Sequence, residues 1–398
     1  MKTKRIAITW QLSDSHGWGV FGLNLALQLI KMGGPTPLLL APPLFIQNDT
    51  GRDAILKPFV DEQIITAQKI ETASGPVMGA DVVVLHALGN AFMSSPISSR
   101  FIGRKNIGVS FFEETGFDAN AITRAKKFDR IIAGSSWNLQ MMQAAKIDNG
   151  VFVSQGIDDA IFHSAPEINK SAHKNTRFKD RYTIFSGGKL ELRKAQDLAI
   201  EAFKVFHRNH DDALLVTAWQ NNWPTTAESI KGSPHIQRAP KIDSNGDLRI
   251  ADWAAGMGLG GHQFIDLGWV ANQEMPSIFN DMDLALFPNR CEGGTNLVAM
   301  EAMASGIPCI IAANTGQIDL IADNNCYPLQ TQTQIAPTGS PAEHWRNSDI
   351  NEIIAVMEHA YSNRDDARRI GEKGAAFMKK RSWEIQVQKL IDALSDLL

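Results

Sequence analysis

The sequence is short of cysteine, of long apolar runs and of excess positive charge, and each shortage removes a class of protein. Cys291, Cys309 and Cys326 are the only cysteines. None stands in a C-x-x-C spacing, so neither a disulfide framework nor a zinc knuckle is indicated, and a reducing compartment fits. No window approaches the roughly eighteen apolar residues that a bilayer span needs. The best candidate, Pro37 to Ile46, is interrupted by prolines. Met1-Lys2-Thr3-Lys4-Arg5 looks like a charged leader, but the apolar stretch behind it stops at Trp10, before Gln11, Ser13 and Asp14. That stretch reads as a first strand. A formal charge of -4 and a pI near 6.2 give no net positive field for a nucleic-acid backbone. There is no fixed-period repeat and no low-complexity segment. The expected location is cytoplasmic, with any membrane contact peripheral and at the inner face.

What is present is enough chain for two domains: 398 residues with 44% hydrophobic content. Short β-like runs at Arg5 to Trp10, Thr36 to Leu40, Asp81 to His86 and Asn106 to Phe111 alternate with helical stretches such as Val20 to Met32. Further strands are predicted at Arg130 to Ala133 and Gly150 to Ser154. The alternation implies βαβ units and a parallel sheet. Glu167 to Asp180 then turns polar and is expected to be the linker. The pattern restarts with strands at Tyr182 to Ser186, Ala213 to Thr217, His262 to Leu267, Leu284 to Phe287 and Pro308 to Ile311. Helices are predicted at Ala195 to His207, Glu274 to Asn280 and Thr295 to Ala304. Two such domains leave a cleft, and ligands of parallel sheets bind beyond the carboxyl ends of the strands.

Three loops carry candidate chemistry. Cys291-Glu292-Gly293-Gly294-Thr295-Asn296-Leu297 follows the strand ending at Phe287 and opens a helix that contains Glu301. Free amides at a helix start, with glycines that admit close backbone approach, suit a diphosphate. Glu292 in the loop could accept from sugar hydroxyls, and Glu301 could reach a ribose. Phe185-Ser186-Gly187-Gly188-Lys189-Leu190-Glu191-Leu192-Arg193-Lys194 is a second strand, glycine turn and basic loop, with Lys189 and Lys194 five residues apart. Gly17-Trp18-Gly19-Val20-Phe21-Gly22 spells G-x-G-x-x-G, which invites a dinucleotide reading. Two features weaken that reading. Six residues, Gln11 to His16, precede Gly17 where a Rossmann turn is tight, and Leu40-Ala41-Pro42-Pro43 lacks the acidic residue that grips a ribose. Asp281-Met282-Asp283 spells D-x-D, but with no Asp/Glu/His cluster beside it the pattern reads as structural, and no metal or other cofactor is predicted.

Together these stretches resemble the retaining GT-B glycosyltransferases of family 4, the group 1 glycosyltransferases. The donor signature of that family pairs two glutamates ahead of a small-residue run ending in Gly-x-Pro, here Gly306-Ile307-Pro308. Eight residues separate Glu292 from Glu301, one more than the usual spacing, and Asn296-Leu297 aligns to the usual Gly-Leu. The resemblance implies that Glu292 contacts the donor sugar, that Glu301 holds the ribose, and that Lys189 and Lys194 take the positions of a phosphate-neutralising arginine and lysine. In the family that lysine is followed by glycine; here Ala195 follows Lys194. Gly17, Trp18 and Gly19 would form the glycine-rich loop at the cleft, and Gly293, Gly294, Thr295, Asn296 and Leu297 the rest of the donor site.

The implied fold is α/β, two Rossmann-like doubly wound parallel-sheet domains facing a central cleft. An acceptor domain would span 1–170, completed by a helix over 382–398 that contains Trp383, and a donor domain 171–381. Phe128 to Trp137 and Gln155 to Phe162 resemble segments that close the first domain, Asp158 serving a cap or turn; Leu267 to Val270 also fits the pattern. Relatives carry a histidine after the strand that ends here in Val109-Ser110-Phe111, whereas this chain continues Phe112-Glu113-Glu114. Glu113 or Glu114 is therefore a candidate for the acceptor, as are His86 and Asn90 after an earlier strand; structural roles are open for all four. Trp219 and Trp223 could stack on sugars or pack beneath a loop.

The implied partners are a nucleotide-diphosphate sugar and a glycan, lipid-linked or small-molecule acceptor, with cell-surface glycan or glycoconjugate synthesis as a setting. Two other classes stay open. One is a non-catalytic sugar-nucleotide or glycan-binding protein of the same fold, the other an NAD-dependent oxidoreductase read from the first glycine loop.

Overall fold

The aliphatic runs become strands of two separate parallel sheets in the computed structural model, which describes residues 4–164 and 178–398. The first half contains β1 (Arg5–Ile8), α1 (Gly17–Lys31), β2 (Thr36–Leu39), α2 (Thr50–Thr72), β3 (Val77–Leu88), α3 (Pro96–Arg100), β4 (Phe101–Ser110), α4 (Ala119–Ala125), β5 (Arg130–Ala133), α5 (Ser136–Ala144) and β6 (Gly150–Phe152). Its sheet order is β2-β1-β3-β4-β5-β6, every pairing parallel. The second half contains β7 (Tyr182–Gly187), α6 (Gln196–His207), β8 (Ala213–Ala218), α7 (Ile250–Gly256), β9 (Phe264–Asp266), α8 (Met275–Phe279), β10 (Leu284–Phe287), α9 (Leu297–Ala304), β11 (Cys309–Ala312) and β12 (Tyr327–Leu329). These strands form a parallel sheet in the order β12-β11-β10-β7-β8-β9. A small antiparallel hairpin, β13 (Gln332–Gln334) and β14 (Arg346–Ser348), is followed by α10 (Ile350–Ser362), α11 (Arg364–Met378) and α12 (Trp383–Ala393).

Strands buried on both faces read as continuous apolar runs, which is why they were legible. Ile6 to Ile8 and Val83 to Leu85 are buried in the first sheet, and Ile184, Phe185 and Leu284 to Phe287 in the second. The helices differ. Among the sequence expectations there is no counterpart to α2, whose 23 residues bury only Arg52, Leu56, Gln63 and Ile70, too few for a clear apolar stripe. Helix α1 starts earlier than predicted, at Gly17, because the His16 imidazole caps it by accepting from the Gly19 amide at 3.1 Å. Helix α9 starts later, at Leu297, with Asn296 as its cap.

The expected boundary between 170 and 171 lies outside the described residues, as does most of the predicted linker. The chain passes between the halves near Ser382, where the Trp383 amide donates to the Ile157 carbonyl and the Ile157 amide to the Arg381 carbonyl, each at 2.9 Å. Helix α12 then joins the first domain. Trp383, Val387, Leu390 and Leu394 belong to the core that contains β1 and α1, and Trp383 stacks on Phe21 at 5.7 Å. No helix among the described residues is long and apolar enough to cross a membrane.

Candidate active site

The loops that follow β1, β4, β7, β8 and β10 meet around one cavity of about 270 Å³ between the sheets. From the first domain come His16, Gly17, Trp18, Phe111, Glu113 and Gln155; from the second come Lys189, Arg193, Lys194, Glu292, Asn296, Leu297 and Glu301. This is the carboxyl-end position that an open parallel sheet offers to a ligand.

Its floor is an ion network built by backbone turns. After β7, Gly188 takes φ +116°, a conformation that side-chain-bearing residues rarely adopt, and the chain runs into a single helical turn, Leu192–Lys194. Ala195 ends that turn at φ +58°. Lys194 Nζ then lies 2.5 Å from Glu292 Oε1, while Arg193 Nη1 lies 2.9 Å from Glu292 Oε2. Arg193 also pairs with Glu191 and stands 3.4 Å from Glu113. Asn289 donates a further hydrogen bond to Glu292. Burial opposes the charge on Glu292, but Lys194 and Arg193 overcome it and hold the carboxyl below its usual range. Burial acts most strongly on Lys194 too and lowers its pKa, with the Glu292 carboxylate working against that. At Glu113 burial wins and raises the carboxyl, although Arg193 and Lys189 pull it down.

Helix α9 supplies the other wall. Asn296 sits at φ +63°, in the left-handed region that asparagine tolerates better than most residues. That explains asparagine at a position the resemblance aligns to glycine. Its side chain accepts from the Ala299 amide and donates to Gln317 at 3.0 Å. The amides of Leu297 and Val298, in the first turn, have no hydrogen-bond partner among the described residues. One turn on, Glu301 is 3% exposed and accepts from Asn272 Nδ2 at 2.6 Å. Burial pushes its carboxyl up to about 8.

The structure brings most of the predicted donor residues together and separates others. Lys189 lines the cavity at its edge, 3.4 Å from Glu191 and 5.6 Å from the Trp223 ring. Gly293 and Thr295 are not on the wall. A Cβ at Gly293 would stand 2.0 Å from the Phe111 carbonyl oxygen, so this glycine lets the donor loop press against the first domain, and its own carbonyl accepts from Ser135 Oγ at 2.7 Å. Thr295 is fully buried against Met300. Gly19 likewise packs on Ser13. His86 stays inside the first domain: it is 2% exposed and bonds Asn106 at 3.0 Å. Asn90 works at one remove, its Oδ1 accepting from the Glu113 and Glu114 amides at 2.9 and 3.3 Å. Glu113 faces the cavity and Glu114 does not.

Of the two tryptophans weighed as platforms, Trp219 is fully buried, with its indole bonded to Ser186, and Trp223 is 52% exposed on the cavity wall. Asp283 accepts from the Thr183 amide and hydroxyl, which gives the D-x-D stretch a structural role. Asp158 forms a turn by accepting from the Ala160 amide.

Sequence reasoning missed Arg193, Asn272 and a buried pair behind the site. Arg290 makes two bonds to Asp197, at 2.7 and 2.6 Å, and a third to the Leu192 carbonyl, fixing the turn that carries Arg193 and Lys194. Arg193 sits beside a lysine already singled out; nothing in the local pattern shows that both point inward, onto the same Glu292 carboxylate.

Among curated relatives, a GDP-mannose-dependent alpha-(1-6)-phosphatidylinositol monomannoside mannosyltransferase of Mycobacterium tuberculosis is 23% identical over 250 residues, 61% of this chain and 55% of that protein. The chain thus spans about half the length of the curated relatives it matches. Among solved structures, sucrose-phosphate synthase from Thermosynechococcus elongatus superposes with a TM-score of 0.65 at 14% identity, covering 99% of both chains. Anabaena HepE in complex with UDP and glucose gives 0.60 at 14% identity over 98% of this chain and 99% of that one. These likenesses show the two-domain GT-B fold. The sequence profile of the group 1 glycosyl transferases matches residues 167–377, just over half of the chain, and the protein belongs to that family.

Proposed function

We propose that the chain is a retaining glycosyltransferase that moves a hexosyl group from a nucleoside-diphosphate sugar to an acceptor hydroxyl. The observation that carries this reading is the meeting of Lys189, Arg193 and Lys194 with the unpartnered Leu297 and Val298 amides of α9 around one cavity that also holds Glu292. Breaking a sugar–phosphate bond builds negative charge on the departing diphosphate and positive charge on the ring. Fixed cations and amides answer the first charge, and the Glu292 carboxylate, once released by Lys194 and Arg193, answers the second. Glu292 orients the sugar and Glu301 holds the ribose. Arg193 has the planar fork suited to phosphate that Lys189 lacks, and takes over part of the role that the resemblance gives to position 189.

The three cations already face three carboxylates, Glu113, Glu191 and Glu292. An entering diphosphate therefore competes with Glu292 for Lys194 and Arg193, and frees that carboxylate to accept from the sugar. Because side-chain cations do this work, turnover is expected to be unaffected by EDTA. The decisive experiment is a thermal-shift and calorimetric panel of UDP, GDP, ADP and NAD, followed by a turnover assay with the matching nucleotide sugars. A nucleoside diphosphate that binds the folded protein raises its melting temperature. Tight NAD binding with no response to any nucleoside diphosphate would defeat the reading, and binding without turnover would favour a non-catalytic sugar-nucleotide protein.

A further inference from the structure

A second, larger cavity of about 930 Å³ opens off the first and shares Ser15, His16, Trp18, Asn222, Trp223 and Trp269 with it. Its walls come from both domains. Trp18, Leu44, Ile46 and Met93 face it from the first, and Trp223, Trp269 and Asp247 from the second. Leu44, Ile46 and Met93 are exposed, as is Trp223. The Trp269 indole is held by a 2.7 Å bond to Asp247 Oδ1, and Trp18 is wedged edge-on against Phe111 at 4.8 Å. Rigid indoles of this kind are stacking platforms that cost little conformational entropy on binding.

The charge on these walls is as informative as the aromatics. No lysine or arginine lines the cavity among the described residues, and its titratable groups are His16 and Asp247. Burial and then Lys189 lower the pKa of His16, and its Nδ1 is already spent on the α1 cap. A phosphate or carboxylate on the acceptor would find no lysine or arginine on these walls, Lys189 standing 5.6 Å from the Trp223 ring in the first cavity, and would meet the Asp247 carboxylate. The remaining polar groups, Gln11, Ser94, Ser95, Asn222 and Asn245, are neutral donors and acceptors. The volume lies at the top of the range of small-molecule sites, about 300–1,000 Å³, more than one sugar ring needs.

We propose that this second cavity takes the acceptor, and that the acceptor is an uncharged carbohydrate of more than one ring, held by indole stacking and amide hydrogen bonds. The inference rests on the glycosyltransferase reading of the neighbouring cavity. In the transfer, the bond from the anomeric carbon to the diphosphate oxygen breaks, and its electron pair leaves on the diphosphate. An acceptor hydroxyl oxygen forms the new bond, and the hydroxyl proton passes to the departing phosphate oxygen.

The test uses the full chain with whichever nucleotide sugar the binding panel selects. Transfer is measured to neutral trisaccharides, maltotriose and mannotriose among them, and to glucose 6-phosphate, mannose 6-phosphate and a phosphatidylinositol vesicle. Transfer to a neutral saccharide and none to the phosphorylated acceptors is expected. Trp223→Ala should raise acceptor KM about tenfold, the loss of one stacking contact. Trp223→Phe should restore KM to within about threefold, which a merely structural role would not predict. If nucleotides bind but only phosphorylated or lipid acceptors are used, or no neutral saccharide is, the inference fails while the donor reading stands. If no nucleoside diphosphate binds, the donor reading itself has failed.

Discussion

Lys194 and Glu292 stand 98 residues apart in sequence and 2.5 Å apart in space, both nearly buried, where the loops after β7 and β10 meet. In the proposed transfer this lysine neutralises the departing diphosphate. Lys194→Ala is therefore expected to lower turnover on the order of a hundredfold or more, the scale of losing one preorganised charge-stabilising donor. Steady-state kinetics, with a melting curve to show that the variant is folded, check this. Activity within about threefold of the wild type would remove Lys194 from the chemistry.

Glu301 predicts a pH dependence. Its folded-state pKa of about 8 lies above the ordinary 4.5, so the folded protein keeps a proton that the unfolded chain has lost. Its contribution to stability is greatest below pH 4.5 and declines as the pH rises towards 8. A ribose that donates to the ionised carboxylate reverses the preference, so nucleotide affinity should rise between pH 6 and 8 and level off above that, with proton release on binding. Calorimetry in two buffers of different ionisation enthalpy measures the proton. Glu301→Gln should abolish the slope, and an unchanged slope in that variant would assign it to another group.

The left-handed turn at Asn296 separates two substitutions that composition alone would rank alike. Asn296→Gly loses the side-chain bonds to Gln317 and the Ala299 amide but keeps the backbone unstrained. Asn296→Ala loses the same bonds and adds a left-handed penalty of about 1–2 kcal/mol. Part of this is offset by the greater freedom of glycine in the unfolded chain. Chemical denaturation should find the alanine variant less stable by about 1 kcal/mol.

Arg290 and Asp197 form a bidentate pair that is 1% and 0% exposed. Breaking such a pair strands a buried charge, and Asp197→Ala is expected to cost about 3–5 kcal/mol. Because Arg290 also holds the Leu192 carbonyl, residual folded protein should lose activity beyond its lost stability. Equilibrium unfolding together with activity per folded molecule separates the two effects.

The parts of the site that were legible in sequence are those with a local signature. Gly293-Gly294 before a helix and Gly187-Gly188 before a basic loop announce backbone turns, and the lysines and glutamates beside them follow by spacing. Arg193 pointing inward, by contrast, is seen only in its contacts with Glu191 and Glu292, which come from two different loops, and no local residue pattern advertises it. For His86 the sequence left both a cleft-facing and a structural role open: a histidine near a strand end can face either side of the sheet, and here it is buried and bonded to Asn106. Asn272 reaches Glu301 from the loop after β9, a contact set by packing between elements and invisible to periodicity. At the level of the fold, fully apolar strands were plain, whereas α2 was hidden by its mostly exposed, polar surface.

Helix α12 makes the first domain depend on chain order. Its core around Phe21 is closed by Trp383, Val387, Leu390 and Leu394, residues the ribosome adds only after the entire second domain. Until then, the nascent amino-terminal half carries an open greasy seam. Newly made chains should thus be most prone to clump, and most in need of chaperones, in the interval before α12 emerges.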